Sequence, residues 1–351
     1  MLQMKSVRVE CSSPYEVVIC DGLLTEVVGA FPAGKEGSTA YVLTDENVAP
    51  LYLDSLETGL RRSFRDVKAV VIASGEEHKT LDTVGHILGE LARLGATRSD
   101  TLFCLGGGVV TDTGGLAAAL YMRGIDVVNV PTTILAAADA AVGGKNGVDL
   151  PTGKNLVGTF KQPKRVICDV SAFTTLDNMN ISNGIAEIIK CGIIADQELF
   201  ELLERNTSDT LDFADIITRS VKIKADFIRK DEFDNGERAK LNFGHTVGHA
   251  IEKLSGYKTP HGFAVAIGMA LLCQNSRVTR LLQRYELPVA TEFTSEQIVN
   301  AAMNDKKKDG DSINVIFPSE NIGECRVKRV TFAKFQREVE SGLVYVRDCK
   351  T

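Results

Sequence analysis

The sequence lacks the features that would place it in a membrane, outside the cell or on a nucleic acid. Its longest strongly apolar runs are far shorter than the roughly 20 residues that span a bilayer. The first twenty residues alternate in character and contain no long apolar core of a signal peptide. Acidic residues outnumber basic ones by 46 to 40, which argues against a broad nucleic-acid surface but allows a local basic pocket for a small anionic substrate. We therefore expect a cytoplasmic protein without a membrane or nucleic-acid partner.

Paired cysteines are missing as well. Eight cysteines are scattered along the chain without a CxxC pair or the spacing of a zinc knuckle. In a chain without a signal peptide, this pattern predicts free thiols in a reducing compartment. Cys104 and Cys273 lie within apolar runs, so we expect both to be buried. The pattern favours neither a disulfide scaffold nor a catalytic cysteine.

The order of hydrophobic patterns predicts an α/β fold in two parts. With 351 residues, 44% of them apolar, the chain is long enough for two domains. Buried strands alternate with helices in the first half, which is typical of a parallel sheet with helices on both faces. We predict an α/β domain over 1–178 and a mainly helical domain over 179–351. The first domain has a predicted hairpin at 6–10 and 15–20, strands at 40–44, 68–73, 101–105 and 125–130, and a helix at 81–94. The second has predicted helices at 182–205, 211–233, 240–256, 262–284 and 295–304, a hairpin at 313–317 and 325–330, and a last helix from 331.

A glycine-rich turn follows the predicted strand at 101–105. Gly106–Gly107–Gly108 let the backbone approach a phosphate at a helix N-terminus, although the spacing is not GxGxxG and a tight turn alone would also explain it. Other strand ends are polar and carry Asp45, residues 75–79 and Thr132–Thr133. Because ligands of open α/β sheets bind beyond the carboxyl ends of the strands, these residues indicate a dinucleotide site.

Three of only five histidines lie within seventeen residues. His245 and His249 are four positions apart on a predicted helix and share one face, which is the spacing of an HxxxH metal pair. His261 opens the next predicted helix after a loop. A carboxylate would complete a catalytic zinc site, and Glu187 is a candidate because an unpaired carboxylate in its apolar helix would be costly. Structural histidines at this spacing remain the alternative.

Basic residues recur beside glycines and beside these candidate ligands. Lys145 lies among Gly143, Gly144 and Gly147, where the backbone suits close approach to an anion. A single lysine is more often a solvated surface charge than part of a site. Several cations with a metal and a dinucleotide nevertheless suit a small, multiply anionic, hydroxylated substrate. The other members of this set are Lys154 with Asn155, Lys190, Lys224, Arg238 and Lys306–Lys308.

Taken together, these segments resemble the 3-dehydroquinate synthase family of sugar-phosphate cyclases. The resemblance covers about residues 40 to 330 and depends on several separate motifs that are specific in combination. The matching segments are GEEHKT (75–80), GGGVVTD (106–112), YMRGI (121–125), VPTTILAAADAAVGGKNG (130–147), GKN (153–155), GIAEIIK (184–190), IKAD (223–226), LNFGHTVGHAIE (241–252), HG (261–262) and DKK (305–307).

The resemblance implies a fold, two cofactors and their contacts. The implied fold is an N-terminal Rossmann-like α/β domain followed by a mainly α-helical C-terminal domain, often in a homodimer. The implied cofactors are NAD⁺ and a divalent metal, zinc or alternatively cobalt. The implied metal ligands are Glu187, His245 and His261. The implied NAD⁺ contacts are Asp45, Glu76, Lys79, Gly107, Gly108, Asp112, Thr132, Thr133, Lys145 and Lys154.

The resemblance also implies a reaction. A carbon–oxygen lyase of this family converts the small anionic sugar phosphate 3-deoxy-D-arabino-heptulosonate 7-phosphate into 3-dehydroquinate and phosphate in the shikimate pathway. Transient oxidation by NAD⁺, phosphate elimination, reduction and aldol closure follow one another, so NAD⁺ is recycled. The residues that match catalytic positions are Lys190, His249, Lys145, Asp139 and Asn242. Those that match substrate contacts are Arg123, reaching the neighbouring subunit's substrate, and Lys145, Lys154, Asn155, Lys224, Arg238, Asn242, His249 and Lys306.

Three positions depart from the family pattern. Phe263 stands where the HGE motif has Glu, Thr111 where Gly is usual and Asp177 where Pro is usual. Phe offers no acceptor to a metal-binding histidine, so we predict that a backbone carbonyl or a water orients the ring of His261. The alternative is that Phe263 packs into the helical core.

Other functions stay open on the sequence alone. ISNGIAEIIK and ELFELLE also resemble the epi-valiolone synthase branch, which cyclises sedoheptulose 7-phosphate, a substrate without a carboxylate. Lys145, Asn155, Arg238 and Asn242 keep the dehydroquinate pattern. A metal-dependent polyol dehydrogenase would release NADH, and the many candidate substrate lysines argue against it. A non-catalytic NAD-binding descendant has only Phe263 in its favour.

Overall fold

The computed structural model describes residues 4–22, 24–30, 37–306 and 311–348. The chain divides into two compact units. Unit 1 comprises Met1–Leu176 and Phe213–Phe233, and unit 2 comprises Asp177–Asp212 and Asp234–Thr351. The segment Phe213–Phe233, which the sequence pattern grouped with the second domain, thus belongs to the first unit.

Unit 1 is built on a seven-stranded, mainly parallel sheet. The strands of this unit are β1 (Lys5–Val9), β2 (Tyr15–Cys20), β3 (Thr39–Asp45), β4 (Asp66–Ile72), β5 (Thr101–Gly106), β6 (Asp126–Pro131), β7 (Lys145–Leu150), β8 (Gly153–Phe160) and β9 (Arg165–Asp169). The order in the seven-stranded sheet is β1-β2-β9-β6-β5-β3-β4. Within it, β1 and β2 pair antiparallel at one edge, and the other neighbours pair parallel. Its α-helices are α1 (Leu24–Ala30), α2 (Ala49–Leu60), α3 (Leu81–Arg93), α4 (Gly108–Leu120) and α7 (Phe213–Lys230).

The sheet is buried on both faces, because its central strands carry apolar residues at consecutive positions. On β3, Tyr41 and Leu43 belong to one core cluster, which also contains Leu91 of α3. The alternate residue Val42 belongs to the opposite cluster, which contains Leu60 of α2. Successive side chains of a strand point to opposite faces, so a continuous apolar run predicts two covered faces. The predicted α/β fold class is confirmed.

A second, two-stranded sheet in unit 1 escaped the sequence analysis. Strands β7 and β8 pair antiparallel, with an irregularity between Val148 and Leu150. This hairpin carries three predicted site residues, Lys145, Lys154 and Asn155. Its sequence is rich in glycine and polar residues, which weakens any strand pattern and resembles that of a loop.

Unit 2 consists mainly of helices with one hairpin. Its α-helices are α5 (Asn178–Ala195), α6 (Gln197–Arg205), α8 (His245–Leu254), α9 (His261–Cys273), α10 (Ser276–Arg284), α11 (Ser295–Lys306) and α12 (Phe332–Asp348). Strands β10 (Ser312–Pro318) and β11 (Cys325–Thr331) pair antiparallel, as predicted.

Three of the predicted long helices are interrupted, and the predictions of continuous helices were wrong there. The 182–205 pattern breaks at Asp196, whose side chain accepts a hydrogen bond from the backbone N–H of Leu199 and begins α6. The 262–284 pattern breaks where Asn275 caps α10. The 240–256 pattern is a short 3₁₀ helix, Glu237–Asn242, followed by α8. Short polar side chains satisfy the first free N–H groups of a new helix, so they interrupt an otherwise helical apolar pattern.

Two further expectations from the sequence concern membrane-spanning helices and the cysteine thiols. Within the described ranges, no helix is both long and apolar enough to cross a membrane. The seven described cysteines are free thiols, of which Cys104 is buried and Cys273 is only half-buried.

Candidate metal and dinucleotide sites

Three candidate metal ligands come together in unit 2. Glu187 lies in the middle of α5, whereas His245 and His261 are the first residues of α8 and α9. One donor atom from each lies within 4.8 Å of the others. The Oε1 atom of Glu187 is 3.7 Å from Nε2 of His245 and 3.5 Å from Nε2 of His261. One carboxylate oxygen and two imidazole nitrogens therefore converge on one point.

Glycine brings the start of α9 close to α5. The N–H of Gly262 donates to the side-chain oxygen of Asn183 at 2.7 Å. A Cβ atom at position 262 would lie 2.0 Å from the backbone oxygen of Asn183, so no other residue fits without a shift of the backbone. The HG pair of the sequence thus combines a candidate ligand with the small residue that lets α9 lie close to α5.

The charges in this cluster are deeply buried and depend on one another. Lys190 forms an ion pair with the second oxygen of Glu187, one helical turn away. Burial alone would raise the pKa of Glu187, but Lys190 and the two facing imidazoles hold it well below its ordinary value. Burial and the charge of Lys190 lower the pKa of His245 to about 3, which keeps its ring neutral and able to donate an electron pair.

The donor atoms of the same cluster suit a divalent metal. Glu187 is 1% exposed, and its Oε1 atom accepts no hydrogen bond from any described residue. A buried oxygen left without a partner is costly. Two imidazole nitrogens and a carboxylate oxygen are a donor set that catalytic zinc sites use, with a fourth position open. The atom that lacks a partner is the one that the two imidazoles face.

Each of the two candidate histidine ligands has a second contact at Nδ1. The backbone oxygen of Phe243 lies 3.1 Å from Nδ1 of His245. For His261, the contact is a carboxylate oxygen of Glu252, at 3.4 Å. The prediction that a carbonyl or a water orients His261 is therefore wrong. Burial opposes a charge on His261, but Glu187 and Glu252 outweigh it and raise the pKa of the ring to about 10.

His249 is separate from the group that contains Glu187. Its ring centroid lies 5.3 Å from that of His245, and its side chain is exposed. Its donor atoms group instead with those of Glu252 and His261, again within 4.8 Å. The HxxxH spacing thus brings two rings together without making both of them ligands beside Glu187.

A second polar cluster lies in unit 1, around the buried side chain of Lys79. The Nζ atom of Lys79 is 2.6 Å from a carboxylate oxygen of Asp112 in α4 and 2.7 Å from the side-chain oxygen of Asn155 in β8. Lys154 pairs with Glu76 at 3.1 Å. Burial alone would lower the pKa of Lys79, but the carboxylates of Asp112 and Glu76 raise it to about 12. Burial raises the pKa of Asp112 in spite of Lys79, and Glu76 adds to this effect.

The β7–β8 hairpin is tied to the chain near Lys79. The N–H of Asp149 donates to the backbone oxygen of Lys79 at 2.8 Å, and the carboxylate of Asp149 accepts from the N–H of Asn155 at 2.7 Å. Sequence analysis missed Asp149. It stands next to Leu150, at the end of β7, and a carboxylate at a strand end was the signal used elsewhere in this chain.

The remaining predicted dinucleotide contacts lie at the carboxyl ends of parallel strands. Asp45 ends β3, and its carboxylate accepts from the N–H groups of Asn47 and Val48. Gly107 connects β5 to α4, with Gly108 as the first residue of the helix. Thr132 and Thr133 follow β6. Because β3, β5 and β6 are neighbours in the sheet, these residues share one edge.

The structure separates the other predicted site residues into smaller groups. In unit 1, Nζ of Lys224 contacts the carboxylate of Asp139 at 2.5 Å, while Arg123 and Lys145 are exposed. In unit 2, the short 3₁₀ helix just before α8 carries Arg238, only 2% exposed, and Asn242, half-buried. Lys306 ends α11, and its side chain lies outside the described part of the chain.

Glu252 is the other residue that sequence analysis missed. It lies seven positions after His245 and three after His249, so all three occupy one face of α8. It is 1% exposed. The spacing HxxxHxxE was the available signal, since a carboxylate on the face of a helix that carries two histidines needs a partner when buried.

The fold is that of the sugar-phosphate cyclases, as a comparison with a solved structure shows. The chain resembles the structure of 2-epi-5-epi-valiolone synthase from Streptomyces hygroscopicus subsp. jinggangensis 5008, which contains NAD⁺ and Zn²⁺. The TM-score is 0.85 at 28% sequence identity, over 98% of this chain and 99% of the other.

The chain belongs to the 3-dehydroquinate synthase family. The model of the 3-dehydroquinate synthase N-terminal region matches residues 69–183, and that of the C-terminal region matches residues 184–308. The 3-dehydroquinate synthase of Clostridium acetobutylicum is 38% identical over 345 residues, 93% of this chain and 97% of its own length. That of Thermoanaerobacter sp. (strain X514) is 43% identical over 300 residues, 80% of this chain and 84% of its own. The family predicted from the motifs is confirmed.

Proposed function

We propose that this protein is a 3-dehydroquinate synthase that converts 3-deoxy-D-arabino-heptulosonate 7-phosphate into 3-dehydroquinate and phosphate, with NAD⁺ and a divalent metal as cofactors. The main support is the cluster of Glu187, His245 and His261 with its one unpartnered buried oxygen. It occurs in a chain that is 38% identical to a 3-dehydroquinate synthase over nearly the full length of both. By this proposal the protein is a carbon–oxygen lyase and forms a homodimer.

Glu187, His245 and His261 hold the metal in this proposal. When bound, a divalent cation polarises substrate oxygens and lowers the pKa of a hydroxyl that must lose its proton. Lys190 neutralises the second oxygen of Glu187 and keeps the carboxylate ionised inside the protein. His249 carries an exposed imidazole on α8, the helix that begins with His245. In this proposal a nitrogen of that ring accepts the proton that the substrate loses.

Unit 1 supplies the dinucleotide contacts in this proposal. Bound at these contacts, NAD⁺ would supply reversible hydride acceptance, so that the net reaction would not be a redox reaction. The N–H groups at the start of α4 lie after Gly107 and suit a pyrophosphate. Carboxylates at the strand ends suit ribose hydroxyls. The proposed contacts are Asp45, Glu76, Lys79, Gly107, Gly108, Asp112, Thr132, Thr133, Lys145 and Lys154.

Cations and amides bind the substrate in this proposal. Arg238 is the residue that we assign to the substrate carboxylate, since a planar guanidinium binds a carboxylate through two parallel hydrogen bonds. Asp139 fixes Lys224 by accepting from its ammonium group. Arg123 is exposed and, in the proposed homodimer, would contact the phosphate in the neighbouring subunit. The other proposed contacts are Lys145, Lys154, Asn155, Lys190, Asn242, His249 and Lys306.

Product identification tests this function. The purified protein, loaded with NAD⁺ and Zn²⁺, is incubated in parallel with 3-deoxy-D-arabino-heptulosonate 7-phosphate and with sedoheptulose 7-phosphate. We expect 3-dehydroquinate and one phosphate per molecule of the first substrate, with turnover far above the amount of NAD⁺ and no accumulating NADH absorbance. A cyclised product from sedoheptulose 7-phosphate alone would favour a 2-epi-5-epi-valiolone synthase. Stoichiometric NADH release would favour a polyol dehydrogenase.

A further inference from the structure

The two histidines that face Glu187 differ in what holds the far side of each ring. Nδ1 of His245 faces a backbone carbonyl, that of Phe243, whereas Nδ1 of His261 faces the carboxylate of Glu252. In both rings Nε2 is the nitrogen nearer to Glu187. A ring that gives its Nε2 electron pair to a metal carries its proton on Nδ1, and a partner on that side fixes both the tautomer and the ring plane.

Glu252 is held rigidly enough for this purpose. Its side chain is 1% exposed, and its backbone oxygen accepts hydrogen bonds from the N–H of Tyr257 and the hydroxyl of Ser255, at 2.7 and 2.9 Å. These contacts fix the last turn of α8 and the loop that leads toward His261. A carboxylate buried to this degree is costly unless a donor or a positive charge faces it.

We propose that Glu252 is the positioning residue for His261. By accepting the Nδ1–H of His261, its carboxylate directs the Nε2 electron pair toward the point that Glu187 and His245 share. This inference rests on the proposed function, because it assumes that the three residues hold a metal. It gives Glu252 the role for which Phe263, with no acceptor group, is unsuited.

An alternative role for Glu252 is that of a metal ligand. Its carboxylate, His249 and His261 form a second set of donor atoms within 4.8 Å of one another. If Glu252 were itself a ligand, the carboxylate would need its charge and its coordinating oxygen. As a positioning residue it needs only an acceptor oxygen, which the amide of Gln also provides.

The test compares Glu252→Gln and Glu252→Ala with the unchanged protein. Zinc affinity of the full chain is measured by competition with a chromophoric chelator, so the result does not depend on activity. Ile251→Val serves as the matched control, because it loosens the packing of a buried neighbour on α8 without touching a donor. Imidazole signals are followed in the zinc-loaded, ¹⁵N-histidine-labelled protein, which has only five histidines.

We expect Glu252→Ala to weaken zinc binding by roughly 10- to 100-fold, the usual loss for a partner of a metal-bound histidine. Glu252→Gln should lose clearly less, and Ile251→Val should bind as the unchanged protein does. The Nδ1–H signal of His261 should persist in the Gln variant and disappear by exchange in the Ala variant. The Nδ1–H of His245, on the carbonyl of Phe243, should persist in all of them and is the internal control.

Three results would overturn the proposal. Equal losses in the Gln and Ala variants would make Glu252 a ligand, and zinc affinity unchanged in Glu252→Ala would make it a packing residue. An unchanged protein that binds no zinc would remove the site altogether. Failure of the proposed function looks different, since zinc would bind and respond to Glu252 while neither heptulose phosphate gave a product.

Discussion

The two polar clusters of this protein differ in how their buried charges are paired. In unit 1, the buried ammonium of Lys79 contacts the carboxylate of Asp112 and the side-chain oxygen of Asn155, so its charge is neutralised within the cluster itself. In unit 2, Lys190 neutralises one oxygen of Glu187, while the other oxygen has no hydrogen-bond donor among the described residues. Burying an unpaired polar atom costs more than burying a pair. A cluster that leaves one atom unsatisfied is therefore the better candidate for a site completed from outside.

The largest effect is expected when the cluster of unit 2 is broken. Glu187→Gln removes the charge that attracts a divalent cation and leaves Lys190 buried without its carboxylate. We expect zinc affinity to fall by more than the roughly 100-fold that loss of an outer partner costs, and product formation to cease. Chelator competition and phosphate release measure the two effects. Glu296→Gln, an exposed carboxylate in the first turn of α11, is the control and should change neither. Full zinc affinity in Glu187→Gln would refute its role as a ligand.

A different outcome is expected when the cluster of unit 1 is broken. Lys79→Met leaves the half-buried carboxylate of Asp112 without its cation, which should cost about 1–3 kcal/mol of unfolding free energy. The double variant Lys79→Met, Asp112→Leu should recover much of this loss, because two well-packed apolar groups replace the pair. Denaturant titration of both variants measures the difference.

The same variants test whether the two clusters are independent of each other. NAD⁺ affinity should fall in both Lys79 variants, since Lys79 and Asp112 are proposed contacts, whereas zinc affinity should stay as it is. A parallel fall in zinc affinity would show that the two clusters are not independent of each other.

A smaller effect is expected from Arg238→Lys, which keeps the buried charge but loses the planar fork. Loss of one charged hydrogen bond is worth about 1.5–3 kcal/mol, or roughly 10- to 100-fold in kcat/KM for the carboxylated heptulosonate. Sedoheptulose 7-phosphate, which has no carboxylate, should be affected much less if it reacts at all. Equal losses on the two substrates would remove Arg238 from carboxylate recognition.

The smallest effect concerns Phe263, where relatives carry Glu. Because Glu252 already faces Nδ1 of His261, a new carboxylate in Phe263→Glu should not tighten zinc binding. Phe263 is half-buried, so the variant should lose some thermal stability instead. Chelator competition and a thermal melt separate the two results, and tighter zinc binding would mean that the second carboxylate reaches the site after all.

Much of the fold could be predicted from the sequence because its pattern is strong. Apolar runs such as 40–44 and 101–105 are buried on both faces, and each ends at a polar or glycine residue that marks the end of the strand. The β7–β8 hairpin could not be predicted, since its pairing depends on tertiary contacts such as that between Asp149 and Lys79 and not on a pattern of its own. Helix breaks at Asp196 and Asn275 depend on single hydrogen bonds that a helical period hides.

The candidate ligands could be named from the sequence, but their supporting contacts could not. His245 and His261 were conspicuous because histidines are few, and Glu187 was conspicuous in an apolar helix. Whether the partner of a ligand is a carbonyl or a carboxylate depends on how helices approach each other in space. Phe243 supplies its backbone, which carries no signature in the side-chain sequence. Glu252 lay within a matching motif, yet its function depends on the position of a ring nine residues further along.

The route of the chain between the two units has a consequence for how the protein is made. The chain leaves unit 1 after Leu176 and returns to it at Phe213–Phe233. Helix α7, with Lys224, therefore belongs to unit 1 but is separated from the rest of that unit by the 36 residues 177–212. During synthesis, unit 1 cannot be completed until residue 233 has left the ribosome, by which time α5 and α6 of unit 2 have already emerged. Neither unit can therefore be produced as a complete continuous fragment. Truncation of the chain after residue 176 would remove α7 from unit 1, and with it the contact between Lys224 and Asp139.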